Sequence, residues 1–196
     1  AYSSEDIDLL MTMTNAAAVS IENARLYQES QKSKERLEVI AELSRIINSS
    51  PDISKVYGGF ADNVKKLVDS DQTSINLIHR SGQNLRVFAF SQDTPSRIEA
   101  GQIMPLEGSG AEWVIKNKRA NIETDLAEEG QFHTDETLLA EGFRSTIRLP
   151  IWSKGEIIGT FNLRSRRPHA YGQREQEILE QLVAQIAGAI ENAIVL

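Results

Sequence analysis

The 196-residue sequence contains no cysteine, which excludes disulfides, thiolate metal sites and a thiol nucleophile. It also lacks any run approaching the ~20 apolar residues that span a bilayer, and its first residues do not have the pattern of a signal peptide. Its three histidines are scattered, with no second histidine at metal-ligand spacing. Serine-nucleophile, phosphate-binding and dinucleotide motifs are missing as well. We therefore expect no catalytic residue, no metal, no cofactor and no membrane partner for this fragment.

The charge balance is acidic and uneven along the chain. Lysine and arginine number 21 against 28 acidic residues, a net charge of −7, which is unfavourable for nucleic-acid binding. Between Ala120 and Arg144 there is no lysine or arginine, and seven residues are acidic: Glu123, Asp125, Glu128, Glu129, Asp135, Glu136 and Glu141. This acidic segment is either a solvated loop or a lid attracted to a basic surface.

The two ends of the chain repeat each other. Residues 2–10 are echoed by residues 171–179, and Ile21-Glu22-Asn23-Ala24 recurs unchanged at 190–193, each pair at the same offset of 169 residues. Any two amphipathic helices share some positions, but helical periodicity does not demand Glu-Asn-Ala. The repeat predicts a tandem array.

This repeat suggests where the domains divide. We predict a linker or signalling helix of a preceding domain at 1–35 and a second domain at 36–196, which ends in a helix at about 171–196. The first residue is not methionine. We expect an excerpt from a longer cytoplasmic protein, with other domains adjacent in the parent chain.

Both repeated segments carry apolar or small residues at alternating spacings of three and four. Such a seam pairs with another helix or packs on a sheet, and we expect a homodimer through these terminal helices. The seam positions are Ile7, Leu10, Thr14, Ala17, Ile21 and Ala24, then Ile40, Leu43 and Ile47 after an interruption, and finally Leu179, Val183, Ile186, Ile190 and Ala193. One long helix is predicted over 4–48, followed by a second helix that Asp52 caps and that buries Phe60 and Val64.

From Thr73 the hydrophobic period changes from helical to two, which indicates strands. The predicted elements are strands at 73–79, 85–91, 102–105, 119–122, 145–152 and 156–165, a helix at 109–117, and an irregular loop with a helical turn or two at 123–143. We predict an α+β fold (an α/β sandwich) with a central antiparallel sheet of about five to six strands. Terminal helices cover one face of the sheet, and loops cover the other.

The alternation separates two unlike faces of this sheet. One face carries no charge and must lie against helices: Ile75, Leu77, Leu85, Val87, Ile147, Leu149, Ile157, Gly159, Phe161 and Leu163. The other face is mixed: Ser74, Asn76, Ile78, Arg86, Phe88, Phe90, Thr146, Arg148, Thr160, Asn162 and Arg164. The mixed face is either solvated or the floor of a pocket for a polar small molecule.

Several short motifs late in the chain follow the order and spacing of one known family. They are Gly142-Phe143-Arg144-Ser145, Leu149-Pro150-Ile151, Gly155, Ile158-Gly159-Thr160, Leu163, Tyr171 and the closing Ile190-Glu191-Asn192-Ala193. Residues 36–196 therefore resemble a GAF domain, the small-molecule sensor module of bacterial signalling proteins and of cyclic-nucleotide phosphodiesterases. The resemblance implies a sheet with terminal helices on one face and ligand-facing loops on the other.

The departures from the family's known patterns reduce the number of possible ligands. A bilin attached through a thioether is excluded because no cysteine is present. The segment Phe132-His133-Thr134-Asp135-Glu136 is a near miss to the cyclic-nucleotide pattern of animal members, with the wrong spacing from Phe to Asp. A GAF enzyme acting on free methionine sulfoxide needs redox cysteines. Haem ligation by His133 stays open beside the simpler interpretation of an exposed loop histidine.

The candidate ligand-binding residues are Asn76, Phe88, Phe90, Thr146, Arg148 and Asn162 on the mixed face, with Asp125 from the acidic segment. We expect Arg148 to pair with an acidic ligand or with a carboxylate of that segment, because an unpaired buried arginine is poorly solvated. We also expect Arg148→Ala to leave the fold intact. Gly108-Ser109-Gly110 before a helix is either an anion-holding turn or a plain turn.

Two functions remain open at this stage. The first is a regulatory sensor without catalysis of its own, which relays ligand binding through its terminal helices to an output domain such as a histidine kinase, cyclase or phosphatase. The alternative is a ligand-free dimerisation and linker module, in which Phe88 and Phe90 fill the pocket.

Overall fold

A computed structural model of the chain describes residues 3–48, 53–92 and 99–195. In chain order the elements are α1 (Ser4–Asn48), α2 (Ile53–Leu67), β1 (Gln72–Ile78), β2 (Asn84–Gln92), β3 (Ile103–Pro105), α3 (Gly110–Asn117), β4 (Asn121–Glu123), α4 (Leu126–Glu129), α5 (Asp135–Ala140), β5 (Ser145–Ser153), β6 (Glu156–Ser165) and α6 (Gln173–Val195). The chain divides into two compact units, Ala1–Val39 and Ile40–Leu196. None of the described helices is both long enough and apolar enough to cross a membrane.

The sheet has six strands in the order β3-β2-β1-β6-β5-β4, and every neighbouring pair is antiparallel. The predicted α+β class and strand number are therefore confirmed. Gly159 of β6 is required where β6 meets β1, because a Cβ there would lie 2.2 Å from the carbonyl oxygen of Asn76. A side chain at this position would force the two central strands apart.

The uncharged face of the sheet forms the core with α2 and α6. Phe60 of α2 meets Phe161 of β6 with ring centroids 6.0 Å apart, and both side chains are fully buried. Most of the seam positions of α6 are buried as well: Leu179, Val183, Ile186 and Ile190. The α6 seam therefore packs within its own unit, against the sheet, and α6 contacts both β5 and α2.

The seam of α1 differs between its two ends. The predicted helix over 4–48 is confirmed. Its last turns bury Ile40 and Leu43, whereas Leu10, Thr14, Ala17, Ile21 and Ala24 are exposed. The predictions for Asp52 and for the side chains of Ile7, Ile47 and Ala193 lie outside the described residues.

One part of the face assignment is wrong. The register between β1 and β2 shifts between Ile75 and Asn76, so that Ile75 pairs with Ala89 but Asn76 pairs with Val87. Because directly paired residues share a face, this bulge moves Val87 and Leu85 to the mixed face and Arg86, which pairs with Leu77, to the other face. A strict alternation cannot follow the strand past the inserted residue, which is Phe88. A second register shift, between Ile151 and Trp152, removes Ile157 from the uncharged face in the same way, because Ile157 pairs with Trp152.

Candidate ligand-binding site

A cavity of about 320 Å³ lies over the mixed face of the sheet. Its floor comes from β1, β2, β5 and β6, and its walls come from β3, the start of α3 and the segment around α5. The lining residues are Asn76, Leu85, Gln102, Met104, Pro105, Ser109, Gly110, Ala111, His133, Thr134, Thr137, Leu138, Glu141, Arg148, Asn162 and Arg164. This volume is at the small end of the range for ligand pockets, roughly 300–1,000 Å³.

Arg148 is the centre of a buried polar cluster at one side of the cavity. Its side chain is 4% exposed, and its Nη1 donates to Asn121 Oδ1 at 2.7 Å and to Glu123 Oε2 at 2.5 Å. Strand pairing brings these groups together, because β4 runs beside β5 with Asn121 opposite Arg148. The expected carboxylate partner of Arg148 is therefore supplied by the chain itself.

A second carboxylate joins this cluster from the acidic segment. Arg148 Nη2 donates to Asp135 Oδ1 at 3.2 Å, and Asp135 Oδ2 accepts the backbone N–H groups of Gln131 and Phe132 at 2.9 and 2.7 Å. The Phe132 ring lies 5.2 Å from Cζ of Arg148, within cation–π range. Asp135 therefore connects the turn before α5 to the sheet.

Glu123 is fully buried within this cluster. Desolvation raises the pKa of its carboxyl above the ordinary value, and the neighbouring Arg148 charge opposes that rise. Its second oxygen, Oε1, has no hydrogen-bond partner among the described residues. The cluster thus places two carboxylates, Glu123 and Asp135, beside the single positive charge of Arg148.

The start of α3 closes over the guanidinium of Arg148. Ser109 caps this helix, since its Oγ accepts the N–H of Glu112 at 3.2 Å. A Cβ at Gly110 would lie 2.5 Å from Cζ of Arg148, so only glycine allows this approach. The Gly108-Ser109-Gly110 turn therefore contributes to the cavity wall rather than lying apart from it.

Arg164 presents a different environment, two strands' width from β4. Its Nη1 donates to the amide oxygen of Gln72, and no carboxylate of the described residues forms an ion pair with it. Arg164 is 9% exposed, and its Nε is buried without a hydrogen-bond partner among the described residues. Burial, followed by the charge of Arg148, lowers the pKa of Arg164 to about 10. Arg164 is thus a poorly compensated cation in the cavity.

Two asparagines complete the polar floor. Asn162 Nδ2 donates to Ser74 Oγ at 3.2 Å, which holds this side chain across the β1–β6 pair. Asn76 is 5% exposed, and its Oδ1 has no donor among the described residues. Asn76 therefore brings a buried, unused acceptor to the edge of the cavity.

The structure brings three of the seven sequence-predicted site residues into the cavity lining: Asn76, Arg148 and Asn162. Thr146 is buried on the same face, where its Oγ1 donates to the carbonyl of Leu163, and it does not line the cavity. Phe88 is the bulge residue of β2, and Phe90 lies opposite Ser74; both are half-buried and outside the lining.

Asp125 has a structural environment instead. Its carboxylate caps α4 by accepting the N–H of Ala127 at 3.1 Å, and it forms an ion pair with Arg144. The hydrogen bond from Arg144 holds the pKa of Asp125 below its ordinary value. This residue is therefore a contact within the acidic segment and not part of the cavity lining.

The acidic segment is packed and attached rather than loose. Leu126, Leu138 and Phe143 form a small buried cluster beneath it. Three arginines of the neighbouring strands and turns hold it from outside this cluster: Arg144 at Asp125, Arg148 at Asp135, and Arg166 at the carbonyl of Glu141.

Sequence reasoning missed Arg164, Glu123 and Asp135 as members of the candidate site. Arg164 was recognisable only as one of several residues on the mixed face, since alternation reveals the face and not the ion pairing. Among the described residues, no group of three or more histidines and carboxylates is arranged to hold a metal ion.

Solved structures with similar folds include proteins with several kinds of function. A free methionine-R-sulfoxide reductase from Neisseria meningitidis, in complex with its substrate, aligns with a TM-score of 0.66 and 15% identity over 84% of this chain and 93% of that chain. The phycoerythrobilin-bound GAF domain of a cyanobacterial phytochrome aligns at 0.65 and 20% identity over 82% and 96%. The GAF domain of a two-component sensor histidine kinase from Bacillus halodurans aligns at 0.60 and 21% identity over 69% and 90%.

One sequence prediction needs correction in the light of these structures. We expected a domain that is not an enzyme, but free methionine-R-sulfoxide reductases are enzymes built on this same fold. The fold therefore gives no ground for excluding catalysis. No curated protein sequence matches the chain. The GAF domain family matches residues 50–191, which is most of the sequence, and the chain belongs to that family.

Proposed function

We propose that this GAF domain binds a small molecule in the cavity over the mixed face and relays the bound state to an output domain of its parent protein. The observation that carries the proposal is the cavity itself, which gathers buried polar groups that protein atoms leave unsatisfied. Both the Nε of Arg164 and the Oδ1 of Asn76 lie in residues that line it. Leaving such groups unpaired is costly, and a small local rearrangement would let a bound ligand pair with them.

Related folds support a small-molecule role. The similar reductase holds its substrate, and the similar phytochrome domain holds phycoerythrobilin. The similar sensor histidine kinase domain supports a parent protein of the two-component type. A cysteine-free chain suits the reducing cytoplasm, where we place the protein.

The relay would run through β5 and α6. Strand β5 carries Arg148 on its cavity face and Ile147, Leu149 and Ile151 on the face toward the helices, and α6 contacts this strand. At the end of β5, Ser153 Oγ donates to Glu191 of α6 at 2.6 Å. Ser44 of α1 in turn contacts Gln185 of α6 at 3.2 Å. A change at Arg148 therefore has a short, packed route to both terminal helices.

A second proposal concerns the exposed part of α1. Ile21 is 70% exposed, and the seam from Leu10 to Ala24 has the spacing of a two-helix interface. Such a seam suits a second copy of the chain, because the same apolar residues of the two copies can pack against each other across a two-fold axis. Homodimerisation through α1 is compatible with the sensor and is also what a linker module without a ligand would use.

Native mass spectrometry of the purified protein, incubated with a bacterial metabolite extract, tests the proposed function. We expect wild type to retain a small molecule and Met104→Trp, which fills the cavity, to lose it. Ile103→Trp is the matched control, since the neighbouring Ile103 is exposed and does not line the cavity. Absence of any retained mass in wild type would favour the linker module.

A further inference from the structure

The structure points to the chemical class of the ligand. We infer that the cavity takes a small molecule with a single carboxylate group and a hydrogen-bond donor of its own, such as a hydroxy acid or an amino acid. The inference rests on the proposed function, because it assigns a ligand class to that same cavity.

The negative charge is required by the contrast between the two cavity arginines. Arg148 is neutralised by Glu123 and Asp135, whereas Arg164 has only the neutral amide of Gln72 as an acceptor among the described residues. Arg164 is 9% exposed as a residue, and its Nε–H has no partner among the described residues, so its guanidinium is suited to an anionic oxygen.

The start of α3 adds positive potential at the cavity wall. Gly110 and Ala111 line the cavity as the first residues of this eight-residue helix, and none of the described residues accepts a hydrogen bond from either backbone N–H. Amides in the first turn of a helix are left without an internal acceptor, and the helix dipole favours an anion beside them. A carboxylate that contacts both Arg164 and the first turn of α3 would pair with the guanidinium and with these amides.

The carboxylates nearby limit the ligand to one anionic group with a single negative charge. Asp135 belongs to the Arg148 cluster, and Glu141 itself lines the cavity. A dianion such as phosphate would be repelled by both, while one carboxylate matches the one poorly compensated cation.

The hydrogen-bond donor is required by Asn76. Asn76 lines the cavity floor, its Oδ1 is buried without a partner among the described residues, and a buried acceptor needs an N–H or O–H. A hydroxyl or ammonium group on the ligand would supply it, and an ammonium group would also suit Glu141. The small volume, about 320 Å³, limits the rest of the molecule.

Calorimetric titration with matched probes tests the inference. Lactate and alanine carry both features, lactamide and alaninamide lack the carboxylate, propionate lacks the donor, and inorganic phosphate carries the extra charge. We expect lactate or alanine to bind at least about tenfold more tightly than its amide, because charge-assisted hydrogen bonds are lost in the amide. Propionate and phosphate should both bind more weakly than the preferred acid.

Variants and a spectroscopic signal locate the effect at Arg164. Arg164→Gln should lose the preference for the acid over the amide, while Arg86→Gln, the same change at an exposed arginine outside the cavity, should keep it. If Arg164→Gln fails to fold, the side-chain Nε–Hε NMR resonance of Arg164 in wild type gives the same information. It should shift on addition of the acid and not on addition of the amide.

The inference is overturned if the amides bind as tightly as the acids, if phosphate binds best, or if no acid binds. Retention of a molecule that lacks a carboxylate in the native mass spectrum would then leave the proposed function standing without this ligand class. Failure of both experiments would overturn the proposed function as well.

Discussion

The guanidinium of Arg148 on β5 donates to the carboxylate of Asp135 at the start of α5 across 3.2 Å, and both side chains are buried. The contact joins the sheet to the acidic segment at the point where that segment walls the cavity. Because Asp135 also accepts two backbone N–H groups of the preceding turn, the contact sets the position of that turn. A ligand that alters this ion pair would therefore alter the cavity wall.

Replacing Arg148 by Ala should destabilise the fold, which corrects our expectation that it would leave the fold intact. The change leaves Glu123 and Asp135 buried without their cation, and breaking a buried ion pair in this way costs about 3–5 kcal/mol. Urea unfolding measures the loss. Arg167→Ala is the control, since Arg167 and its partner Asp69 are 67% and 71% exposed, and it should cost less than ~1 kcal/mol. Equal effects of the two changes would contradict the assigned role of the cluster.

Glu123→Gln should change how stability depends on pH. Because burial raises the pKa of Glu123 above 4.5, its contribution to the free energy of unfolding is complete below pH 4.5 and is lost as the pH rises through the raised value. The variant lacks this loss, so its stability relative to wild type should improve from about pH 4.5 toward neutrality.

Unfolding curves at a series of pH values measure this trend, and Asp125→Asn provides a control of opposite sign. The pKa of Asp125 is lowered from 3.8, so its contribution is present above that pH and is lost on acidification. If the free energy of unfolding of Glu123→Gln differs from that of wild type by the same amount at every pH, Glu123 does not contribute to the pH dependence of stability.

Gly110→Ala should destabilise the domain by about 1–3 kcal/mol through overpacking. The added methyl group would lie 2.5 Å from Cζ of Arg148, and the ion pairs of Arg148 prevent it from moving aside. Gly58→Ala in α2 is the matched change in an open environment, with no atom within 4 Å, and should stabilise by about 0.5–1 kcal/mol. Thermal unfolding of both variants checks the two signs, and a stabilised Gly110→Ala would contradict the contact.

Ile21→Glu should abolish the homodimer proposed through α1. The substitution places a charge in the centre of the exposed seam, where it would meet its own copy across the interface. Gln28→Glu adds the same charge in the interruption of the seam and should leave the dimer intact. Sedimentation of the three proteins at tens of micromolar measures the outcome, and a wild-type monomer would refute the proposal.

The elements of the fold were predictable because each has a clear period. The predicted bounds of strands β5 and β6 lie within one residue of the observed ones, although their register shifts between Ile151 and Trp152. The bulge in β2 was not predictable, since nothing in the sequence around Phe88 marks an inserted residue. As a result Leu85 lines the cavity although its pattern assigned it to the core.

The candidate site was predictable only in its residue types. Spacing placed Arg148 and Arg164 on one face, but it does not reveal that β4 brings Glu123 to the first and leaves the second with Gln72. The helical seams were also predictable only as patterns, since the spacing does not reveal what each seam packs against. Ile21 and Ile190 occupy equivalent positions of a repeat, yet one is exposed and the other is buried against the sheet.

The site is tested most directly by mapping where a metabolite extract perturbs the backbone amide NMR spectrum of the labelled protein. If the cavity over the mixed face is the ligand site, shifts should concentrate at Asn76, Ala111, Asn162 and Arg164, which line it. They should be absent from Met104→Trp and present in Ile103→Trp. Shifts centred instead on Leu77, Arg86 and Gly101, which border a separate depression, or no shifts at all, would contradict a ligand site in this cavity.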